Sequence, residues 1–129
     1  MSDDRIALIE RLYASFAAAD MGSVADLLAE TEWHEAQGMP YGGRYNGANE
    51  VFENVFLKIG QDVEGFSARP DELLPVGENR VLALGRYRGK GKSGEVDAVF
   101  AHVWTVEDGK IVKFVQYADT HQYRAAIGA

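Results

Sequence analysis

The sequence predicts an α+β fold, in which helices cover one face of a curved antiparallel sheet. Apolar residues recur at helical spacing in the first half of the chain, and four segments rich in Val, Phe, Tyr and Trp follow one another in the second half. The chain has 129 residues, and 47% of them are apolar. These features predict a single domain over residues 1–129, because no linker, repeat or low-complexity tract divides the chain.

The charge balance and the lack of cysteine exclude several functions. The 13 Lys and Arg residues against 20 Asp and Glu residues give a net charge of −7, which disfavours a phosphate-binding surface. No cysteine is present for a disulfide, a thiolate metal site or a cysteine nucleophile. No segment has the pattern of a secretory signal or a membrane span. We expect a cytoplasmic protein that binds neither nucleic acid nor membrane.

The N-terminal region predicts a pair of helices. Residues 3–19 carry apolar side chains along one helical stripe, with Ser2 or Asp3 as the cap. A short second helix follows, capped by Asp20 or Ser23. The alanines between the two helices favour close packing of the pair.

A short strand, a loop and a third helix are predicted next. Residues 31–37 alternate weakly in polarity and contain a tryptophan, which is typical of a strand. Four glycines and one proline argue against regular structure in residues 38–47. Asn46 is then expected to cap a helix that ends at Gly60.

The second half of the chain predicts an antiparallel meander. Its strands cover residues 64–76, 80–89, 95–107 and 111–119, and a final helical turn runs from Gln122 to Ile127. The third of these strands is apolar on both faces, whereas a strand with one wet face alternates. Because helices cover only one face of the sheet, a second copy of the chain is the simplest cover for the other. We therefore expect a homodimer through the sheet face.

Two of the long strands carry side chains that suit proton chemistry. His102 lies between Phe100 and Trp104 on one strand face, either as a core or interface histidine or as a proton carrier in an apolar pocket. Asp119 ends the last strand, either as a helix cap or as a general base with a raised pKa. Tyr117 shares the strand face of Asp119, as a hydroxyl partner or as a core ring.

The short strand adds three adjacent candidates. Trp33 and Glu35 point to one side of it and His34 to the other, and the sequence leaves open which side lines a pocket. No two potential metal ligands have the helical spacing of a zinc site, and no nucleophile or phosphate-binding motif is present, so neither a metal nor a cofactor is expected. The potential ligands are His34, Glu35, His102, Asp119 and His121.

The order of these elements resembles the SnoaL-like polyketide cyclase and ketosteroid-isomerase-like branch of the nuclear transport factor two-like superfamily. The resemblance covers nearly the whole chain: a helix pair, a strand with Trp33-His34-Glu35, a loop leading to Gly47 and a helix, and a meander ending in Gln116-Tyr117-Ala118-Asp119. It implies a cone-shaped curved sheet wrapped by three N-terminal helices around an apolar pocket, often in a dimer.

The active residues of this superfamily carry over only in part. Steroid isomerases have a tyrosine in the first helix, an aspartate at the end of the first strand and an acid in a later strand, and these positions fall on Leu12, Ala36 and His102. Steroid isomerisation in its usual form is therefore not expected. Tyr13 and Glu35 lie one position from two of these sites, so a shift of register would restore part of the set.

Two other branches place an aspartate at the end of the last strand. SnoaL-type cyclases and the similar limonene epoxide hydrolases have a working aspartate there, and Asp119 falls at this position. The epoxide hydrolases also use an Arg-x-Asp pair on a preceding strand. Arg86-Tyr87-Arg88 stands in its place here, which disfavours that water-activating arrangement.

The leading hypothesis is an isomerase- or cyclase-type enzyme without a cofactor, acting on a small apolar or carbonyl-containing molecule. Asp119 would abstract a proton next to the carbonyl, and His102, assisted by Tyr117 or Gln116, would stabilise the enolate oxygen. The expected pocket lining comprises Trp33, His34, Glu35, Tyr41, Tyr45, Phe56, Phe100, Trp104 and Gln116.

Two alternatives remain open at this point. One is a non-catalytic ligand-binding or assembly module of the same fold, and the other is epoxide-hydrolase-like hydrolysis. If Asp119 and His102 point into one cavity with shifted pKa values, catalysis is favoured. If Asp119 caps the terminal helix and His102 faces a dimer partner, the module is favoured.

Overall fold

The protein folds as a curved sheet with helices packed against it, which confirms the α+β prediction. A computed structural model describes residues 4–129. Within them the helices are α1 (Asp4–Ala17), α2 (Met21–Leu27), α3 (Gly47–Val51), α4 (Leu57–Asp62) and α5 (Thr120–Ile127), and a π-helical turn (Phe52–Phe56) joins α3 to α4. The strands are β1 (Glu32–Glu35), β2 (Gly43–Asn46), β3 (Glu64–Val76), β4 (Arg80–Lys90), β5 (Glu95–Glu107) and β6 (Lys110–Ala118).

The described strands form one sheet in the order β2-β1-β6-β5-β4-β3. Strands β3 to β6 pair with their neighbours antiparallel, so the predicted meander is confirmed. Strand β1 lies parallel to β6, and β2 lies antiparallel to β1. The prediction that residues 38–47 lack regular structure is wrong for Gly43–Asn46. This segment pairs with β1 at the sheet edge, where backbone hydrogen bonds are available whatever its side chains are.

A bend in β3 and β4 makes the sheet concave. The pairing of these strands shifts by one residue between Pro70 and Glu72, which is a β-bulge and bends the sheet. Gly85 lies opposite this bulge, where a Cβ atom would stand 2.3 Å from the carbonyl oxygen of Arg69. The close approach of the two strands therefore requires glycine here. Helix α1 packs across β3 and β4 on the concave side.

The helix pair begins and ends close to its predicted positions. Asp20 caps α2 as predicted, because its carboxylate accepts from the backbone N–H of Ser23 at 3.2 Å. The predicted caps of α1, Ser2 and Asp3, lie outside the described residues.

The third predicted helix differs in three details. Asn46 occupies the N-cap position but its side chain makes no capping bond; its backbone N–H donates to the Glu50 side chain at 2.7 Å instead. The helix runs past Gly60 to Asp62, since a single glycine does not terminate a helix whose flanking residues are packed. Its middle section Phe52–Phe56 is π-helical, a feature that apolar periodicity does not reveal.

Strand β5 shows how the two faces of the sheet differ. Its alternate residues from Val96 to Trp104 are buried on the concave side, whereas Val99 on the opposite side is 47% exposed. Tyr117 of β6 is 59% exposed on that same outer side. The homodimer through this face stays a prediction. None of the helices in residues 4–129 is both long and apolar enough to span a bilayer.

Candidate functional site

A small cavity lies between the concave face of the sheet and the helices. Its volume is about 60 Å³, which is room for a few water-sized groups. Aromatic rings dominate its walls: Phe16, Trp33, Phe56, Phe66, Trp104 and Phe114. The polar and titratable groups that reach it belong to Tyr13, Glu35, Tyr87, His102 and Gln116. An apolar cavity with a few converging polar groups is the common form of a small-molecule site.

Glu35 brings a carboxyl group into this cavity from the end of β1. Alternation along the short strand turns Trp33 and Glu35 inward and His34 outward, which answers the question that the sequence left open. The indole N–H of Trp33 donates to Glu35 Oε1 at 2.8 Å, whereas Glu35 Oε2 is buried with no hydrogen-bond partner in residues 4–129.

The surroundings of Glu35 make it a weak acid. Burial raises the pKa of this carboxyl to about 7, and the Trp33 indole and the nearby Gln116 amide offset only part of that effect. A carboxyl group with a pKa near neutrality can take up a proton and release it again at physiological pH.

His102 lies beside Gln116 on the neighbouring strand and bonds to two tyrosines. Its Nδ1 lies 2.5 Å from the Tyr13 hydroxyl, and its Nε2 lies 2.6 Å from the Tyr87 hydroxyl. The ring of Phe100 stacks on the imidazole at 3.9 Å between centroids. Burial among these rings lowers the pKa of His102 to about 3, so the imidazole is neutral at physiological pH.

Two fixed donors point at the tyrosine hydroxyls. The Trp104 indole N–H donates to the Tyr13 oxygen at 3.0 Å. The Ala36 backbone N–H donates to Gln116 Oε1 at 2.9 Å, which fixes the orientation of the amide, and Gln116 Nε2 donates to the Tyr87 oxygen at 2.7 Å. A connected row of polar groups therefore crosses the cavity wall from Gln116 to Trp104.

Most of the predicted pocket lining lies where the sequence analysis expected it. Trp33, Glu35, Phe56, Trp104 and Gln116 line the cavity, and His102 lines it as well. His102 is buried and faces the interior of the protein.

Asp119 and Tyr117 lie outside the cavity, so the predicted pairing of Asp119 with His102 is not formed. Asp119 is exposed at the N-terminus of α5, and its carboxylate accepts from the Gln122 backbone N–H at 3.0 Å. Tyr117 is exposed because strand alternation turns it away from the face that Gln116 occupies. Asp119 therefore caps α5, and neither Asp119 nor Tyr117 lines the cavity.

The other four residues of the predicted lining do not line the cavity. His34 points outward and pairs with Glu32. Phe100 stands behind His102 as a packing ring. Tyr41 is buried next to the cavity, where its hydroxyl donates to Asp62 at 2.7 Å, and Tyr45 donates to the Tyr41 carbonyl at 2.7 Å. These two tyrosines hold the loop between β1 and β2 in place.

The arginines of β4 also lie away from the cavity. Arg86 forms an ion pair with Asp97 at 2.9 Å, and Arg88 approaches the same carboxylate at 3.6 Å. Both pairs are on the outer side of the sheet, and among residues 4–129 no arginine lines the cavity beside Glu35. Among residues 4–129, no cluster of His, Asp and Glu side chains has the arrangement of a metal site.

Two residues of the site were missed by the sequence analysis as candidates for chemistry. Tyr13 lies on α1, and the sequence connects it with chemistry only through the shift of register that relates it to the tyrosine of the steroid isomerases. Tyr87 sits in the alternating series Ala83, Gly85, Tyr87 of β4, whose small members leave space on the inner face. A tyrosine that follows small inward residues was the available signal for it.

The described residues thus form a small α+β domain with a cone-shaped sheet and a cavity between the sheet and the helices. The sequence model of the SnoaL-like domain matches residues 9–114, so the chain belongs to the SnoaL-like domain family. A comparison with curated proteins gives no match.

Solved structures with the same fold agree with this assignment. An NTF2-like protein from Burkholderia thailandensis is 32% identical over 98% of each chain, with a TM-score of 0.89. An NTF2-like protein of unknown function from Burkholderia pseudomallei is 27% identical over 99% of this chain and 100% of that one, with a TM-score of 0.88. TerC, co-crystallised with polyporic acid, shares 24% identity over 98% of this chain and 100% of that one, with a TM-score of 0.87.

Proposed function

We propose that the protein is an enzyme that abstracts a proton next to the carbonyl group of a small molecule, with Glu35 as the general base. The observation that carries this proposal is the free oxygen of Glu35, which is buried in an aromatic cavity and has no partner in residues 4–129. An unpartnered carboxyl oxygen is costly to bury, and a catalytic role is one explanation for it.

The other polar groups of the cavity suit the second half of such a reaction. Removing a proton next to a carbonyl places negative charge on the carbonyl oxygen, and a hydroxyl donor in a water-poor site stabilises that charge. Tyr13 and Tyr87 are the donors within the cavity, and neutral His102 holds both of them. Return of the proton from Glu35 to another carbon would complete an isomerisation, and attack by the enolate carbon would close a ring.

Glu35 replaces Asp119 as the proposed base, for a geometric reason. A general base must reach the proton that it removes, directly or through one water. Asp119 is engaged with the α5 backbone outside the cavity, whereas Glu35 has an oxygen available inside it. The co-crystal of TerC with polyporic acid supports a small organic ligand for a relative of this fold.

The alternative function is a non-catalytic pocket for an apolar ligand. The mostly aromatic lining favours it, as does the engagement of both His102 nitrogens by tyrosines. A binding module would hold an apolar compound without moving its protons. The two functions therefore differ in whether protons next to a carbonyl exchange with solvent.

Cyclopentanone is a suitable probe, because it is small and its protons next to the carbonyl exchange with deuterium through the enolate. In D2O at pH 8 we expect the protein to accelerate this exchange over buffer, as followed by proton NMR. Glu35→Gln should remove at least about a hundredfold of the acceleration, since a positioned base contributes that much or more.

Asp119→Asn is the matched control. Both substitutions convert a carboxylate into an amide, and asparagine still caps a helix, so the fold and the exchange rate should be retained. Exchange that survives in Glu35→Gln but is lost in Asp119→Asn would overturn the assignment of the base. If the wild-type protein binds the ketone without accelerating exchange, the binding module is the better description.

A further inference from the structure

The cavity is too small for a ring-shaped ligand as it stands. Its volume is about 60 Å³. An apolar protein cavity that holds one benzene molecule has a volume of about 150 Å³. Cyclopentanone has as many non-hydrogen atoms as benzene, so it enters only if part of the cavity wall moves outward.

Five residues of the lining separate the cavity from solvent. The other lining residues are buried, whereas these five are half-buried, so each has one side towards the cavity and one side towards solvent. They are Tyr13, Phe16, Phe56, Phe66 and Ala68. A ligand that comes from solvent has to pass between them.

Two of the five residues are fixed in place. The Tyr13 hydroxyl is bonded to His102 and accepts from the Trp104 indole. Ala68 carries only a methyl group, and its backbone is paired with Tyr87 of the neighbouring strand. Neither side chain can turn aside without loss of hydrogen bonds or of strand pairing.

The three phenylalanines are held by ring contacts. They come from α1, the π-helical turn and β3, and the ring of Phe16 lies between the other two. Its centroid is 5.1 Å from that of Phe56 and 6.4 Å from that of Phe66. Apolar contacts are not directional, so these rings can turn without breaking a hydrogen bond.

An irregular helix backbone sets the direction of Phe56. The backbone N–H of Leu57 donates to the carbonyl of Phe52, which is the π-helical pattern, whereas an α-helix would use the carbonyl of Glu53. The extra residue in this turn changes the direction of the side chains that follow it. Single π-helical turns of this kind are frequent at functional sites.

An irregular strand backbone does the same for Phe66. Glu64 pairs with Lys90 and Ser67 pairs with Arg88, so β3 has one extra residue between these pairs, which is a β-bulge. Regular pairing from Glu64 would put Phe66 opposite Arg88, on the outer side of the sheet. The bulge turns Phe66 to the cavity instead. Two separate irregularities therefore direct two rings to one opening.

We propose that Phe16, Phe56 and Phe66 form an aromatic gate, which turns aside to admit the ligand and closes over a ketone no larger than one ring. The three phenyl rings fill the space into which a second ring of the ligand would extend, so they determine the size of the substrate. This inference rests on the proposed function, because it takes the ligand to be the ketone on which Glu35 acts.

The size limit is tested with cyclopentanone and 1-indanone, which is cyclopentanone fused to a benzene ring. Isothermal titration calorimetry measures the affinity for each ketone. Wild type should bind cyclopentanone, and 1-indanone at least about tenfold more weakly. Phe56→Ala removes a group of the size of benzene, so the ratio of the 1-indanone affinity to the cyclopentanone affinity should rise at least about tenfold.

Two further variants complete this comparison. Phe66→Ala widens the aromatic gate from β3 and should give a similar rise, so the test does not depend on one variant. Phe52→Ala is the matched control, because Phe52 lies on the same π-helical turn, with its ring centroid 5.4 Å from that of Phe56, but does not line the cavity. Its affinity ratio should equal that of wild type. An equal rise in Phe52→Ala, or a wild type that binds both ketones equally well or neither of them, would overturn the inference.

The movement of the aromatic gate is tested by binding kinetics. The two tryptophans of the chain, Trp33 and Trp104, both line the cavity, so their fluorescence reports its occupation. In temperature-jump relaxation of wild type, the observed rate should level off at high cyclopentanone concentration, because gate opening then limits binding. In Phe56→Ala the rate should keep rising with concentration. A wild-type rate that rises in proportion to concentration throughout would contradict the gate.

The exchange assay separates this inference from the proposed function. A raised affinity ratio in the gate variants without accelerated exchange in any protein rejects the proposed reaction and keeps the aromatic gate. Accelerated exchange of cyclopentanone protons with an unchanged affinity ratio rejects the aromatic gate and keeps the reaction.

Discussion

Two carboxyl groups at the ends of neighbouring strands differ in burial and in hydrogen bonding. Glu35 ends β1 on the concave side, where it is 4% exposed and one of its oxygens has no partner in residues 4–129. Asp119 follows β6 on the outside, where the first turn of α5 supplies an N–H donor. The burial and the partners of a carboxyl group, and not its place at a strand end, decide which one is available for chemistry.

The largest expected difference between the two groups is in the pH dependence of proton exchange. Glu35 acts as a base only when ionised, and its pKa is about 7. The rate that the protein adds to buffer-catalysed exchange should therefore rise about a hundredfold between pH 5 and pH 9, with its midpoint at about pH 7. The measurement is cyclopentanone exchange in D2O across this range. An added rate that is already maximal at pH 5 would contradict Glu35 as the base.

A second difference concerns stability. The pKa of Glu35 is raised from 4.5 to about 7 by folding, so above pH 4.5 the unfolded chain releases a proton that the folded protein retains. The free energy of unfolding therefore falls as the pH rises from 4.5 through about 7, by about 3 kcal/mol in total. Glu35→Gln removes this loss. The free energy of unfolding of the variant, relative to that of wild type, should therefore increase by about 3 kcal/mol between pH 4.5 and pH 8.

His102 has the opposite effect on the pH dependence of the free energy of unfolding. Its pKa falls from 6.5 to about 3 on folding, so the unfolded chain binds the extra proton and stability rises with pH between about 3 and 6.5. The effects of Glu35 and His102 on the free energy of unfolding cancel between about pH 4.5 and pH 6.5. In this range the stability of wild type should be nearly constant, whereas the stability of Glu35→Gln should rise with pH. Urea unfolding at each pH measures both. A difference between the two proteins that does not change with pH would show that Glu35 is not held protonated.

The sequence was sufficient to predict the fold because periodicity and turn residues are local signals. Apolar stripes predict the helices, and turn residues predict the four strands of the meander, at nearly their observed positions. Strand β2 was missed because its four residues at the sheet edge are held by pairing with β1, and a partner strand leaves no local pattern in Gly43–Asn46.

The site was predicted less well because it depends on register between strands that are distant in sequence. Strand β1 lies parallel to β6 with His34 opposite Val115, and β6 pairs with β5 with Gln116 opposite His102. This register brings Glu35, Gln116 and His102 into one row. Alternation alone predicts that Gln116 and Tyr117 face opposite sides, and no sequence signal indicates which side is concave.

The smallest expected effect concerns Asp119 and tests its role as a cap. Asp119→Ala removes the acceptor for the Gln122 N–H and should lower the free energy of unfolding by about 1 kcal/mol, the usual cost of losing an N-cap. Asp119→Asn should restore most of this stability, because the asparagine side chain still accepts the bond. Chemical unfolding of the three proteins at one pH measures both differences. Exchange of cyclopentanone protons should be the same in all of them, since Asp119 is exposed and does not line the cavity into which Glu35 points. An Asp119 variant that keeps its full stability but loses exchange would indicate that Asp119 takes part in the reaction, and the two carboxyl groups would then not differ in function.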